Sequence, residues 1–341
     1  MIRHEGGVLM KRNVLVILIL VLGIFLTGCR AIGSERPEKQ EEIIQERKEA
    51  KIEKPVIPEK LNLNQDGIPI LKVYKLDEEE TAEIDLETYL EGVLAGEMKN
   101  DWPMEALKAQ AILARTFVLK FCTEKESKYE GADISTDIEE AQAYDETGIN
   151  ERISQAVQET RGMVLSYQGE LPYAWFHAHS GGKTALAKEG LAYRDDEPGY
   201  TQVTDGMESD QAPEEAKEWT ANFTHEEILR AAKEAGQLEM EELDSVEIGE
   251  KGESGRITTI LINGNSVSAP NLRIALGSTK MRSTLITHLE MKDDTVVIRG
   301  KGYGHGVGMP QWGAYGLAEA GKNAEEIVKT YFRDINVQHL W

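Results

Sequence analysis

The order of helix and strand signals constrains the fold of this chain more than any other feature. From Ile68 onward, stretches with the apolar period of a helix and stretches that alternate like a strand follow one another irregularly. A regular strand–helix alternation is typical of a doubly wound parallel sheet, whereas irregular mixing is typical of α+β folds. No internal repeat is visible. We therefore predict one α+β globular domain with a cleft, at residues 63–341.

Residues 1–29 have the layout of a signal peptide. Lys11 and Arg12 precede an unbroken apolar run at 14–26, and this run is shorter than the roughly twenty residues that span a bilayer. The Leu-Thr-Gly-Cys sequence that ends at Cys29 resembles a bacterial lipobox, which implies lipidation of that cysteine. An uncleaved signal anchor is the alternative. Both interpretations predict a membrane tether, with the rest of the chain on the extracytoplasmic face of the cell membrane.

The composition indicates where a linker lies and which kinds of partner are unsuitable. Residues 30–62 are rich in Glu, Lys, Gln and Pro, which predicts a disordered polar linker because such a segment buries too little surface to fold. The whole chain carries 60 acidic and 38 basic side chains and a net charge of −22. This balance argues against nucleic acid as a partner, because phosphate groups would be repelled. The two cysteines, Cys29 and Cys122, exclude a disulfide framework.

Capping residues and turn signals predict the elements of the domain. A strand is expected at 68–74, and Asp85 should cap a helix that ends near Glu97. A second helix is predicted from Pro103 to about Phe121, and further helices are predicted at 150–162, 224–236, 270–276 and 323–332. Asn263-Gly264 predicts a hairpin turn. Residues 163–167 and 173–177 predict a second hairpin, around Gln168-Gly169.

Glu97 is the first candidate for chemistry. It follows Gly96, which would let a ligand approach the backbone, and its apolar neighbours could raise the pKa of a general acid. Lys108 and Arg115 are seven residues apart, so they share one face of the following helix, about 10 Å apart. They could border a cleft and contact a ligand. A lone surface glutamate and a solvated basic face are the competing interpretations.

Histidines and glycine-rich turns form the second group of candidates. His177 and His179 would point to one side of a strand, either as metal ligands or, as we favour, as hydrogen-bonding histidines. Ser180-Gly181-Gly182 follows them and could expose backbone N–H groups to a ligand. The glycine-rich run at 300–308 matches no phosphate-binding pattern.

Three ordered motifs resemble the SpoIID/LytB domain family over about residues 65–341. The first spans 90–98, 105–111 and 114–116, the second spans 179–184, and the third spans 302–314. The resemblance implies a peptidoglycan lytic transglycosylase that cuts glycan strands, preferably after an amidase has removed the stem peptides. It implies that Glu97 is the catalytic residue and that the remaining motif residues bind substrate: Lys108, Arg115, Ser180, Gly181, Gly182, Tyr303, His305 and Gln311.

The resemblance also implies a mechanism with a single carboxyl group. Ordinary glycosidases use two carboxyl groups, whereas a lytic transglycosylase uses the C6 hydroxyl of the sugar as nucleophile and needs one acid that then acts as base. Some relatives hold zinc with cysteines near the middle motif. That motif has no cysteine here, so we predict neither a metal nor another cofactor.

Two other function classes stay open at this point. A non-catalytic amidase enhancer would hold glycan or recruit an N-acetylmuramoyl-L-alanine amidase without cutting. A metal hydrolase would use His177, His179 and His305. Sporulation members usually have a transmembrane helix, so the lipobox favours a differently anchored member.

Overall fold

A computed structural model describes residues 54–236 and 239–341. The signal peptide, Cys29 and most of the predicted linker lie outside the described residues. Up to residue 191 the chain forms, in order, β1 (Asn62–Leu63), β2 (Pro69–Lys75), β3 (Glu80–Asp85), α1 (Leu86–Glu97), α2 (Met104–Glu124), β4 (Ile134–Ser135), α3 (Glu151–Glu159), β5 (Met163–Ser166), β6 (Phe176–His177) and α4 (Ala187–Leu191).

The second half continues the irregular mixture of helices and strands, which confirms the predicted α+β class. Its elements are α5 (Glu214–Lys217), β7 (Glu218–Thr224), α6 (His225–Gly236), β8 (Val246–Ile248), β9 (Thr259–Ile262), β10 (Asn265–Ser268), α7 (Ala269–Ala275), β11 (Ile286–Lys292), β12 (Thr295–Lys301), β13 (Met309–Pro310), α8 (Gln311–Glu319), α9 (Ala324–Tyr331) and β14 (Asn336–His339). None of the helices in the described ranges is long and apolar enough to cross a bilayer.

The first hydrophobic core is built around α2. Fourteen of the 21 residues of this helix are buried, and they lie on all of its sides. It is rich in alanine, so α1, α3, α8, α9 and β5 all pack against it. The mixed sheet of β1, β2, β3 and β4 adjoins these helices, with β2 antiparallel to β1 and β3 and parallel to β4. Leu61, just before the predicted domain boundary, already belongs to this core.

The second hydrophobic core is formed by residues between 219 and 298. Two antiparallel sheets, ordered β11-β12-β7 and β10-β9-β8, enclose it together with α6 and α7. The first core takes its residues from 61–216 and again from 309–335. The segment 219–298, called the second lobe below, is therefore inserted into the sequence of the first lobe, which consists of 61–216 and 309–335.

Most of the predicted helix starts are confirmed at the atomic level. Asp85 accepts from the backbone N–H of Thr88, and Asn150 accepts from that of Ile153. Thr224 and Glu227 exchange the two hydrogen bonds of a capping box. The capping box at Asn323 is also present. The Asn263-Gly264 turn joins β9 and β10 as predicted.

The hairpin predicted around Gln168-Gly169 is wrong. The turn itself exists, because Gln168 and Gly169 both have positive φ and Tyr167 bridges Glu170. However, β5 pairs with the C-terminal β14, and β6 pairs in parallel with β13. Pro172 follows the turn and has no N–H to donate, which interrupts a hairpin ladder at this point. The two strands therefore find distant partners.

Candidate active site

A cleft of about 380 Å³ is lined by residues of both lobes and of the loop that joins them. Glu97 lies at the end of α1, Arg273 lies on α7, and Gln311 begins α8. The remaining lining residues are Phe117, Ile138, Ala141, Gln142, Trp175, Phe176, His177, Ala178, Tyr303, Gly304 and His305. Four of the predicted site residues thus meet here: Glu97, Tyr303, His305 and Gln311.

The Glu97 carboxyl group is half-buried and held on both oxygens. The backbone N–H of Ala143 donates to Oε1 at 2.8 Å, and the Nε2 of Gln311 donates to Oε2 at 3.2 Å. The same Nε2 also donates to the Glu97 carbonyl at 3.1 Å. These contacts fix the rotamer of the carboxyl group and point it into the cleft.

Burial raises the pKa of Glu97 above its ordinary value, because the charged form loses its hydration. The hydrogen bonds from Ala143 and Gln311 favour the charged form and oppose this shift without cancelling it. Glu97 is also the last residue of α1, where the negative end of the helix dipole disfavours a carboxylate. The group is therefore poised to give a proton and to take one back.

Gly96 serves a different purpose from the one expected. A Cβ at this position would lie 2.7 Å from the backbone nitrogen of Tyr144, and a Cβ on Gly92 would overlap the Tyr144 ring. The two glycines therefore let the segment 143–144 pack directly on α1. That close approach brings the Ala143 N–H to the Glu97 carboxyl, so Gly96 admits the protein's own backbone.

The structure does not bring Lys108 and Arg115 to the cleft, which corrects the substrate contact expected for them. Arg115 is fully buried and forms a bidentate ion pair with Glu87. It also donates to the carbonyl of Met163. Lys108 pairs with Glu105 and Glu159. Their shared helix face is directed at carboxylates of α1, α2 and α3, so both cations join elements of the first lobe.

The Ser180-Gly181-Gly182 turn also lies apart from the residues that line the cleft. Its backbone N–H groups are satisfied within the protein: Ser180 donates to Glu208, Gly181 donates to Nδ1 of His179, and Gly182 donates to Oγ of Ser180. The Ser180 hydroxyl donates to Glu208 as well. The N–H groups of the turn are therefore already occupied within the protein, in contrast to the ligand contact that the sequence suggested.

Arg256 joins this turn to the second lobe. Its guanidinium donates to the carbonyls of Ser180 and Lys183 at 2.6 and 2.8 Å. It is fully buried, and burial lowers the pKa of Arg256 to about 10, which leaves it charged at neutral pH. Gly306 lies against the guanidinium, where no Cβ fits. Arg256 carries no recognisable signal in the sequence, because no local pattern marks a contact that spans more than 70 residues.

The histidines are neutral and occupied in hydrogen bonds. Burial, followed by the charges of Arg273 and Arg256, lowers the pKa of His305 to about 3. Burial likewise lowers the pKa of His177 well below its ordinary value. Nδ1 of His305 accepts from the N–H of Val307 at 3.0 Å, and Nδ1 of His177 faces the carbonyl of the same residue at 3.1 Å. His179 accepts from Gly181.

No group of three or more His, Cys, Asp or Glu side chains converges on one point within 54–236 and 239–341. The cleft contains one residue of permanent positive charge, Arg273, among its described lining residues. Its side chain donates to the carbonyl of Arg282. Tyr303 lies beside it, and the guanidinium of Arg282 stacks over the Tyr303 ring at 5.2 Å. Arg273, Gln142 and Trp175 carried no sequence signal for the site.

Two family models match parts of the described chain. A family model described as stage II sporulation protein matches residues 74–167, which include α1 and α2. A domain of unknown function, DUF8618, matches residues 180–308. Stage II sporulation protein D of Bacillus amyloliquefaciens is 30% identical over 281 residues, which are 78% of this chain and 77% of that protein.

Two further relatives extend the comparison. An uncharacterized protein of Brachyspira hyodysenteriae is 31% identical over 75% of this chain and 67% of its own length. The amidase enhancer of Bacillus subtilis is 28% identical over 71% of this chain, which spans 39% of that longer protein.

The geometry defines an α+β protein with a cleft between two lobes, and the described residues that line this cleft include one half-buried carboxyl group. Within that class, the chain belongs to the stage II sporulation protein D family, and its function is related to the cell wall. The family resemblance drawn from the three motifs is thereby confirmed.

Proposed function

We propose that the chain is a peptidoglycan lytic transglycosylase in which Glu97 is the only acid and base. The observation that carries this proposal is the lining of the cleft. Among its described residues, Glu97 is the one carboxylic acid. Inverting and retaining glycosidases need a second carboxyl group that faces the same sugar, either to activate water or to attack the sugar.

One carboxyl group is sufficient when the substrate provides the nucleophile. Protonated Glu97 donates its proton to the glycosidic oxygen, and the C1–O bond breaks. The C6 hydroxyl of the same sugar then attacks C1, and the Glu97 carboxylate takes the hydroxyl proton. The glycan is cut, a 1,6-anhydro ring closes, and Glu97 regains its proton. The raised pKa of Glu97 supports the first step, since it keeps the acid protonated to higher pH.

The anchoring is part of the same proposal. Lipidation at Cys29, or an uncleaved signal anchor, would hold the enzyme at the extracytoplasmic face of the membrane, where peptidoglycan lies. A polar segment between Cys29 and the domain would give the reach. An N-acetylmuramoyl-L-alanine amidase is the proposed partner, because it would supply strands stripped of stem peptides.

Digestion of stripped glycan strands tests the enzyme proposal. We expect 1,6-anhydro ends from the wild type, none from Glu97→Gln, and undiminished product from Glu83→Gln. The last variant is a matched control, because Glu83 undergoes the same chemical change on the exposed side of β3. Equal product from the wild type and Glu97→Gln would contradict the proposal.

A non-catalytic amidase enhancer is the second candidate. The similarity to the amidase enhancer of Bacillus subtilis favours it. It predicts that the wild type binds stripped glycan and stimulates an amidase without releasing anhydro ends. It also predicts that Glu97→Gln stimulates the amidase as well as the wild type does.

A further inference from the structure

Two side chains in the cleft are buried and leave hydrogen-bonding atoms unused. Gln142 is 2% exposed and His177 is 4% exposed, and both line the cleft. Within the described ranges, the amide nitrogen and oxygen of Gln142 and the Nε2 of His177 have no hydrogen-bond partner. Buried polar groups are nearly always paired, so each exception asks for an explanation. These atoms are covered in the structure, and a polar ligand in the cleft would give them partners once the two side chains rotate toward it.

The chemistry of the two side chains specifies what this ligand must offer. Nδ1 of His177 faces the carbonyl of Val307, which can only accept, so the ring proton is on Nδ1. Its Nε2 is therefore an acceptor that needs an N–H or O–H donor. The Gln142 amide brings an N–H₂ donor and a carbonyl acceptor. The ligand must thus present at least one donor and one acceptor to two different side chains.

Part of the remaining wall is aromatic. Phe117, Trp175 and Phe176 line the same cleft and present apolar surface. Aromatic faces pack well on the C–H groups of sugar rings and on methyl groups, but they leave hydroxyl and amide groups unsatisfied. A ligand that suits this cleft therefore combines apolar faces with a small number of hydrogen-bonding groups.

We propose that Gln142 and His177 recognise the 2-acetamido group of an N-acetylated sugar. The N–H and C=O of a secondary amide point in opposite directions, so the group needs an acceptor and a donor from two side chains. Nε2 of His177 accepts the acetamido N–H, and the Gln142 amide donates to the acetamido C=O. The acetamido methyl packs on the aromatic wall.

This subsite deepens the proposed function and rests on it for the choice of a glycan ligand. Gln142 directly precedes Ala143, whose N–H holds Oε1 of Glu97. The sugar that Gln142 binds is consequently next to the acid. A sugar that has lost its acetyl group offers an ammonium with donors and no acceptor. Gln142 and His177 are thus specificity-determining residues that select N-acetylated over de-N-acetylated glycan.

Binding in a Glu97→Gln background separates recognition from cleavage. The probes are the tetramer of N-acetylglucosamine and the fully de-N-acetylated tetramer, and the measurement is titration calorimetry. We expect at least about tenfold preference for the N-acetylated tetramer. Gln142→Met should remove this preference. Gln110→Met should keep it, because Gln110 is equally buried with an unpartnered amide but does not line the cleft.

Thermal unfolding shows whether the variants are still folded. Methionine resembles glutamine in length and removes an unpaired buried amide, so both variants should melt at or above the temperature of the parent. Gln142→Ala provides a second test of binding if Gln142→Met melts lower. A preference that survives in both Gln142 variants, or that Gln110→Met removes equally, would overturn the proposal.

The test also separates this inference from the proposed function. If the wild type cuts stripped glycan but the Glu97→Gln background shows no preference between the tetramers, the inference fails alone. If the preference is found but the wild type releases no anhydro ends, the transglycosylase proposal fails and the acetamido subsite stands.

Discussion

At the residue scale, Glu97 is under two opposing influences. Burial favours its neutral form, whereas the N–H groups of Ala143 and Gln311 favour its charged form. An acid that must give up a proton and recover it within one cycle benefits from such a balance. The balance has a cost in stability, because a carboxylate that is hard to charge destabilises the folded state at neutral pH.

This cost predicts how stability depends on pH. The pKa of Glu97 is raised in the folded state, so the folded state binds the Glu97 proton more tightly than the unfolded state does. This tighter binding adds to the free energy of unfolding at low pH. The addition is lost as pH rises from the ordinary carboxyl pKa of 4.5 through the raised pKa. Glutamine never charges. We expect the melting temperature of Glu97→Gln, relative to wild type, to increase between pH 4 and pH 8. A difference that is constant across this range would contradict a raised pKa.

Replacement of Arg115 should destabilise the fold, although Arg115 does not line the cleft. Arg115→Met should destabilise the fold by about 3–5 kcal/mol, because Glu87 would remain largely buried without its cation. Lys108→Met is the control on the same helix. Its ion pairs involve carboxylates that are 35% and 40% exposed, so about 0–1 kcal/mol is expected. Urea unfolding measures both, and equal losses would contradict the structural role of Arg115.

These two cations also mark a limit of sequence reasoning. Helical spacing correctly predicted that Lys108 and Arg115 lie on α2, but it could not reveal their partners. Glu87 is 28 residues from Arg115 and Glu159 is 51 residues from Lys108, and a face that looks solvent-facing in sequence can be covered by such distant groups. Gln142 and Arg273 were missed for the same reason, since each reaches the cleft from a segment without a recognisable motif.

At the element scale, locally determined features were predictable. The Asp85 cap, the Thr224 capping box and the Asn263-Gly264 turn depend on residues within four positions of one another. The pairing of β5 with β14 depends on residues 170 to 176 positions apart. The turn at Gln168 forms, but β5 pairs with β14 and not with β6. The sequence near the turn holds no information about this distant partner, so the predicted hairpin is wrong.

Alanine substitutions at two glycines, one of them in the glycine-rich loop after β12, should differ in their cost to stability. Gly306 has φ of +85° and lies against Arg256, whereas Gly264 has φ of +75° with nothing within 4 Å of a Cβ. Alanine at Gly264 should therefore cost about 1–2 kcal/mol through backbone strain alone.

Gly306→Ala adds a clash with the guanidinium and should cost about 1–3 kcal/mol more. It should also lower glycan cleavage, because Arg256 ties the Ser180 turn to the second lobe. Unfolding and digestion of the two variants side by side test this difference. Equal effects of the two alanine substitutions would show that Arg256 does not organise the loop.

At the scale of the whole molecule, the site depends on both lobes. Glu97 and Gln311 come from the first lobe, and Arg273 comes from the inserted second lobe. Burial lowers the pKa of Arg273 to about 10, so it stays positive at neutral pH. The proposed substrate, a stripped glycan strand, carries a lactyl carboxylate on every muramic acid, which the positive charge of Arg273 in the cleft would attract.

We therefore expect Arg273→Met to weaken binding of muramic-acid strands by about tenfold or more. Binding of the N-acetylglucosamine tetramer, which has no carboxylate, should change little. Comparison of the two ligands by calorimetry at low and high salt tests this, since the charge-dependent difference should shrink with salt. An equal loss for both ligands would assign Arg273 a structural role.

The most direct test of the central claim follows the oxygen atom at the cut. Stripped glycan is digested by the wild type in water enriched in oxygen-18, and the new ends are weighed by mass spectrometry. Attack by the C6 hydroxyl, with Glu97 as sole acid and base, predicts ends that lack one water and carry no label. New reducing ends that carry more oxygen-18 than the reducing ends of undigested strands kept in the same water would show that water is the nucleophile, and they would contradict the account.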